Sequence, residues 1–303
     1  MINMRTGLIA SKKRQETISK VLAYIVLLIA IIIVLAPFSI VIALSFQSHS
    51  QAVNPPFRFF EGQLGWDSFK MAFAESYGDF MLEKSVWSGL LNTLFIVVPI
   101  MFTGVFFSAL SAYSFAKLKF RNKKIMFAIL LGSMMLPGII TMTPAFFIYD
   151  LLGWINNINK PILAFLPLML PNLLGTAACT FYLTQYFKGI PDELLEAARM
   201  DGLDNFGIFI KIFIPLSWPA LIAQLLLWFI AGYNDYLGPL LYIGDEQYYT
   251  LQLVLKLISG NADTNLPKVM AACITVMTPI LLLYLFFQKY FLKGISLSSG
   301  KED

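Results

Sequence analysis

Six stretches of this 303-residue chain are long and apolar enough to cross a bilayer: about 21–46, 88–116, 125–149, 161–185, 216–243 and 267–291. A membrane-spanning helix needs about 20 mainly apolar residues, since each adds only ~1.5 Å against ~30 Å of hydrocarbon. Composition points the same way, with 58% hydrophobic and 13% charged residues and a mean hydropathy of +0.71. Soluble domains carry about 25% charged residues, so this chain lacks half the usual polar cover. Disorder, a collagen-like repeat and an ordinary cytosolic enzyme are excluded together. The expected fold is an all-α membrane protein with six transmembrane helices. It divides into an N-terminal tail over 1–20, a six-span domain over 21–291 and a C-terminal tail over 292–303. The first apolar run is too long for a secretory signal and lacks a small-residue cleavage site, so it is expected to be retained.

Charge position gives the orientation. Sixteen of the 22 Lys and Arg residues fall in segments 1–20, 117–124, 186–215 and the region after 288, against six in the alternate loops. The positive-inside bias then places both termini in the cytoplasm. The net charge of +4 forms no basic stripe with interleaved aromatics, so a nucleic-acid partner is not expected. Cys179 and Cys273 lie in apolar runs, and the single histidine, His49, has no CxxC or second histidine beside it. Neither a disulfide framework nor a metal site is expected.

Polar and helix-breaking residues inside the spans mark candidate functional positions. Pro37, Pro99, Pro137, Pro144, Pro167, Pro171 and Pro279 each remove a backbone donor. At membrane depth that is tolerated where protein or a water-filled cavity satisfies the freed carbonyl, though a kink in a packed bundle accounts equally well for any one of them. Pro137-Gly138 shares a span with Thr141, Thr143 and Pro144, a pattern suited to a helix lining a solute path. Asp235, in Tyr233-Asn234-Asp235-Tyr236, is the ionisable side chain set deepest in a span. It reads either as a functional carboxylate at membrane depth or as an interfacial residue capping a break before Gly238-Pro239. One carboxylate makes no proton relay, which argues against an ion-coupled secondary transporter.

The cytoplasmic segment of about 188–215 is the least membrane-like part of the inner side. Pro191 suits a first helical position, Asp192 and Glu193 favour the positive end of the helix dipole, and Arg199 favours the negative end. Gly202 supplies a left-handed C-terminal cap. A second short helix can start at Asp204, with Phe206, Phe209, Ile210 and Phe213 on one face, and end at Pro215. Periodicity alone gives an amphipathic hairpin on the inner membrane surface. Asp192 and Glu196 share a helix face, but no cytoplasmic segment is long enough to enclose a hydrolytic pocket around them.

The string Glu196-Ala197-Ala198, then Gly202, then Ile214-Pro215-Leu216 resembles the EAA loop of ABC importer permeases. Further strings are similar to the carbohydrate branch of that family: Asn92-Thr93, Ala112-Tyr113-Ser114-Phe115-Ala116, Met135-Leu136-Pro137, Leu152-Gly153-Trp154-Ile155-Asn156, Tyr233-Asn234-Asp235-Tyr236 and Gln288-Lys289-Tyr290-Phe291-Leu292-Lys293-Gly294. The resemblance runs from about 20 to 295 and is nearest to the second, six-span permease of maltose-type sugar importers.

That resemblance implies a type I importer permease of a bacterial cytoplasmic (inner) membrane, working by alternating access. Its partners would be a second, homologous permease, two ATPase subunits and an extracytoplasmic solute-binding protein that delivers a di- or oligosaccharide. Glu196, Ala197, Ala198, Gly202 and Pro215 become the ATPase-coupling residues, and Thr141, Thr143, Tyr233, Asn234, Asp235 and Tyr236 the candidate substrate path. The chain contains no GxxxxGK[ST] phosphate loop; Gly300-Lys301-Glu302 lacks its first glycine and its hydroxyl. No cofactor is therefore expected on this chain, and ATP and Mg would sit on the partner ATPases. A permease for another solute, such as a peptide or polyamine, and a membrane scaffold or channel without ATPases are the alternatives.

Overall fold

The computed structural model describes residues 2–53, 65–73, 85–155, 161–260 and 265–298. Pro55-Pro56, Asn156 and Gly300-Lys301-Glu302 lie outside them. Among the described residues the chain is helical, without strands. In order the helices are α1 (Ile2–Ser45), α2 (His49–Val53), α3 (Asp67–Phe73), α4 (Val86–Lys117), α5 (Lys123–Met134), α6 (Gly138–Leu151), α7 (Pro161–Leu173) and α8 (Ala177–Lys188). There follow α9 (Asp192–Met200), α10 (Asn205–Ile208), a π turn (Phe209–Phe213), α11 (Ile214–Leu216), α12 (Trp218–Tyr233), α13 (Leu237–Tyr242), a 3₁₀ turn (Glu246–Tyr248), α14 (Leu251–Gly260) and α15 (Leu266–Ser298).

Four of the six expected spans stand as single apolar helices, and the regions of the other two hold helix pairs bent at a break. Thr17–Ser45, Val86–Lys117, Ile162–Lys188 and Leu266–Gln288 each qualify as single spans. The other two are bent pairs: α5 with α6 at 94°, and Asn205–Leu216 with α12 at 81°. Of the seven prolines, only Pro137 stands at such a bend, as the extended residue before α6. Pro37, Pro99, Pro144, Pro167, Pro171 and Pro279 sit inside helices.

The chain forms two compact units, 1–72 with 261–274, and 73–260 with 275–303. In the first, every residue from 17 to 40 is exposed, which for this apolar sequence means a surface fit for lipid or another helix. The chain after α1 is pinned by a ring cluster: Phe46 lies 5.0 Å from Trp66 and 5.1 Å from Phe69, and the Gly65 amide donates to the Phe46 carbonyl at 2.9 Å.

In the second unit α4 is the axis, packed by α7, α8, α12 and α14. Small residues set the spacing. A Cβ on Gly89 would meet the Leu251 backbone at 3.0 Å, and one on Gly232 the Val97 side chain at 2.8 Å. The Thr93 hydroxyl accepts from the Leu251 amide at 2.9 Å, and the Asn92 amide donates to the Gln247 and Tyr249 carbonyls. Leu251, Val254 and Ile258 are consequently buried on the bundle. The apolar stripe of α14 therefore packs on the bundle rather than facing lipid. Its face is spent on α4.

Between α7 and α8 the helix unwinds at Leu174-Gly175-Thr176. The Thr176 amide freed there is taken by the buried Ser108 hydroxyl of α4 at 3.2 Å, so that donor is not left unpaired at depth.

Candidate functional site

The hairpin of 188–215 is built as two capped arms. Pro191 (φ −58°, ψ 139°) stands one position earlier than expected, as the extended N-cap residue, and α9 starts at Asp192. At the other end Gly202 takes φ +82°; its amide donates to the Arg199 carbonyl, and the Leu203 amide reaches back to the Ala198 carbonyl, both at 3.0 Å. That pair of bonds is the Schellman motif. A Cβ on Gly202 would meet nothing within 4 Å. Only the backbone term opposes substitution, so Gly202→Ala should destabilise the hairpin by about 1–2 kcal/mol without a packing penalty. Thermal unfolding of the purified variant checks this.

The second arm begins at Asp204, whose carboxylate accepts from the Gly207 amide at 2.8 Å. It does not stop at Pro215 but runs on to Leu216 before turning into α12. Proline offers no N–H to the carbonyl four residues back. The turn before it is widened, with the Ile214 amide bonding the Phe209 carbonyl five residues back. Widening also parts the expected aromatic face: Phe209 and Phe213 are fully buried, while Phe206 and Ile210 stay exposed. Tyr113 of α4 packs its ring 5.6 Å from Phe209 and 4.8 Å from Phe213, and Phe187 of α8 lies 5.5 Å from Phe213. The hairpin is therefore keyed into the helix core rather than resting on a surface.

That core divides the EAA residues. Leu195 and Ala198 point inward and are buried, while Glu196 and Ala197 are exposed, beside exposed Leu194 and Met200. Lys117 fixes the hairpin from α4: its Nζ donates to the Ile190 carbonyl and to Asp192 Oδ1, each at 2.5 Å. Sequence reasoning counted Lys117 only as one of the inner positive charges.

A second feature is a cavity of about 500 Å³ among α4, α7, α8, α12 and α13. Thr93, Asn172, Thr176, Gln224, Asp235 and Thr250 supply its polar lining and Trp228 an aromatic wall. Of the six expected path residues only Asp235 lines it, and Asp235 also caps α13, accepting from the Gly238 amide at 3.1 Å. The others do not line it. Tyr233 is fully buried and donates to the Val276 carbonyl at 2.9 Å. Asn234 is exposed and donates to the Ile230 carbonyl; Tyr236 is half-buried; Thr141 and Thr143 lie on exposed positions of α6. The Thr141 hydroxyl simply donates to the Gly138 carbonyl in its own first turn, at 2.8 Å. Gln224 and Thr250 were missed. Gln224 had a signal, an amide alone in the apolar run Leu221–Leu227; Thr250 had none, since only folding brings it to α4.

Comparisons with known proteins agree on the class. The arabinooligosaccharides transport system permease AraQ of Halalkalibacterium halodurans is 30% identical over 215 residues, covering 71% of this chain and 74% of the relative. The sn-glycerol-3-phosphate transport system permease UgpE of Brucella abortus is 28% identical over 286 residues, covering 93% and 97%. The fold is shared with the crystal structure of a bacterial ABC transporter involved in import of the acidic polysaccharide alginate, at TM-score 0.76 and 24% identity over 92% of this chain and 98% of that one. The model of the binding-protein-dependent transport system inner membrane component matches residues 104–297, a stretch that takes in the capped hairpin, the bent spans and the cavity lining outside α4. This multi-pass membrane protein belongs to that family, the permeases of ABC importers.

Proposed function

We propose that the chain imports a carbohydrate, as one permease of a heterodimer served by two ATPases and an extracytoplasmic binding protein. ATP and Mg bind on the ATPases, and both termini face the cytoplasm, as the inner charge excess supports. The observation that carries the coupling role is the hairpin: Glu196 and Ala197 stand exposed on α9, while the other face is locked to α4 and α8 by Leu195, Ala198, Phe209 and Phe213. A push on the exposed face is thereby passed to the bundle. Ala197 admits close approach, Glu196 offers a carboxylate to a partner cation, Gly202 fixes the turn, and Pro215 helps shape the widened junction with α12. Ala198 acts from within, as packing under the docking face. Asp235 is the path residue best placed on a cavity, with Asn234 and Tyr236 beside it; Tyr233 positions that segment through Val276. Thr141 and Thr143 stand outward on α6, where a second permease would supply the other wall.

Reversing the charge at Glu196 tests the reading. Glu196→Lys should abolish co-purification of the ATPases and reduce uptake of loaded sugar more than tenfold, with this chain still inserted and folded. Were no ATPase to accompany the wild-type chain, the coupling assignment would be lost.

A further inference from the structure

Two buried polar side chains line the cavity side by side with its apolar wall: Thr250, 4% exposed, and Gln224, 6% exposed. The Thr250 hydroxyl has no hydrogen-bond partner among the described residues. Buried polar groups are nearly always paired, so an orphaned hydroxyl and a buried amide lining one space ask for an occupant that supplies donors and acceptors. The volume of about 500 Å³ falls in the ~300–1,000 Å³ range of small-molecule sites. Trp228 adds a flat apolar wall, suited to the C–H face of a sugar ring whose rim carries hydroxyls.

The charge of the lining narrows the cargo. It contains no Lys, Arg or His, and its one ionisable carboxyl is Asp235. A phosphate or uronate entering here would meet a carboxylate with no cation to offset it, an arrangement that discriminates by repulsion. We propose that this cavity is a subsite for one unit of an uncharged carbohydrate, with Gln224 and Thr250 as its hydrogen-bonding groups, and that it rejects phosphorylated and uronate cargo. The proposal rests on the carbohydrate reading above and goes beyond it in placing a sugar site within this chain.

The test uses the whole transporter in proteoliposomes, with its binding protein and three labelled probes: a pool of neutral oligosaccharides, a pool of oligogalacturonates, and glycerol 3-phosphate. Wild type should import from the neutral pool alone. Gln224→Met and Thr250→Val, close in shape, should each lower that uptake about tenfold, the equivalent of one lost hydrogen bond. Thr250→Ser, which keeps the hydroxyl, should restore it. Thermal stability should stay level or rise in Thr250→Val, because it removes an unpaired polar group; a merely structural role would leave uptake unchanged. If both variants import the neutral probe at the wild-type rate, the subsite is overturned and the carbohydrate reading stands. Import of galacturonates alone overturns the neutral-cargo assignment only. Import of glycerol 3-phosphate alone, or of no probe, removes the carbohydrate reading and the subsite with it.

Discussion

Gly175→Ala is expected to destabilise the helical bundle by about 2–5 kcal/mol. Two penalties combine. Gly175 sits at φ +97°, where an L side chain is strained by about 1–2 kcal/mol. Its Cβ would also lie 2.3 Å from Ser108 Oγ and 2.9 Å from the Gly104 carbonyl. Overpacking of that kind typically adds about 1–3 kcal/mol. The Ser108 hydroxyl cannot retreat without releasing the Thr176 amide, which then has no partner at membrane depth. Thermal unfolding of the purified chain in lipid measures the effect, with Gly202→Ala as comparison: it has nearly the same φ and empty space around it. A Gly175→Ala variant no less stable than Gly202→Ala would mean that the α7–α8 break relaxes freely.

The same break shows where sequence reasoning reaches and where it stops. Span length and hydropathy decide that 161–185 crosses the membrane, and Pro167 and Pro171 suggest where it breaks. It breaks instead at Gly175, because a hydroxyl 68 residues away is placed to accept the freed amide. A proline removes one donor and leaves the helix around it intact; an unwound segment needs a tertiary acceptor, and no local pattern announces one. The hairpin was legible for the opposite reason. Pro191, Asp192, Gly202 and Asp204 act on their own neighbours, so caps and turn follow from local chemistry alone.

The candidate site divides along the same line. Asp235 was legible as a carboxylate beside Gly238-Pro239; it caps α13 and also lines the cavity. Tyr233 belongs to the same string, an aromatic next to amide and carboxylate, but does not line the cavity. Helical geometry turns it towards Val276, a quarter-turn or more from its neighbours' direction. The stripe of α14 showed that Leu251, Val254 and Ile258 share a face, but amphipathicity cannot say whether lipid or α4 covers it.

Lys117→Met should uncouple ATP hydrolysis from uptake while leaving the spans folded. The Lys117 side chain is 5% exposed and holds the start of the hairpin through the Ile190 carbonyl and Asp192. Without it the Ile190 carbonyl is left short of a donor, a loss of about 1–3 kcal/mol concentrated at the root of the hairpin. A tenfold fall in sugar-stimulated ATPase activity corresponds to ~1.4 kcal/mol of that range. Lys119→Met removes the same charge from an exposed site two residues on and should behave as wild type; equal loss in both would show that inner positive charge, not docking, is what matters. The ion pair itself contributes in a defined pH window. The hydrogen bond from Lys117, and then its charge, hold the Asp192 carboxyl below its ordinary value. A depressed carboxylate lends stability that is present above its unfolded pKa, about 3.9, and is lost as pH falls through the lower folded value. Coupling should therefore be flat through neutral pH in wild type and weaken only below about pH 4. Because Asp192 is open to solvent, Asp192→Asn should cost far less than Lys117→Met, which places the latch in the buried bond to Ile190 rather than in the exposed pair.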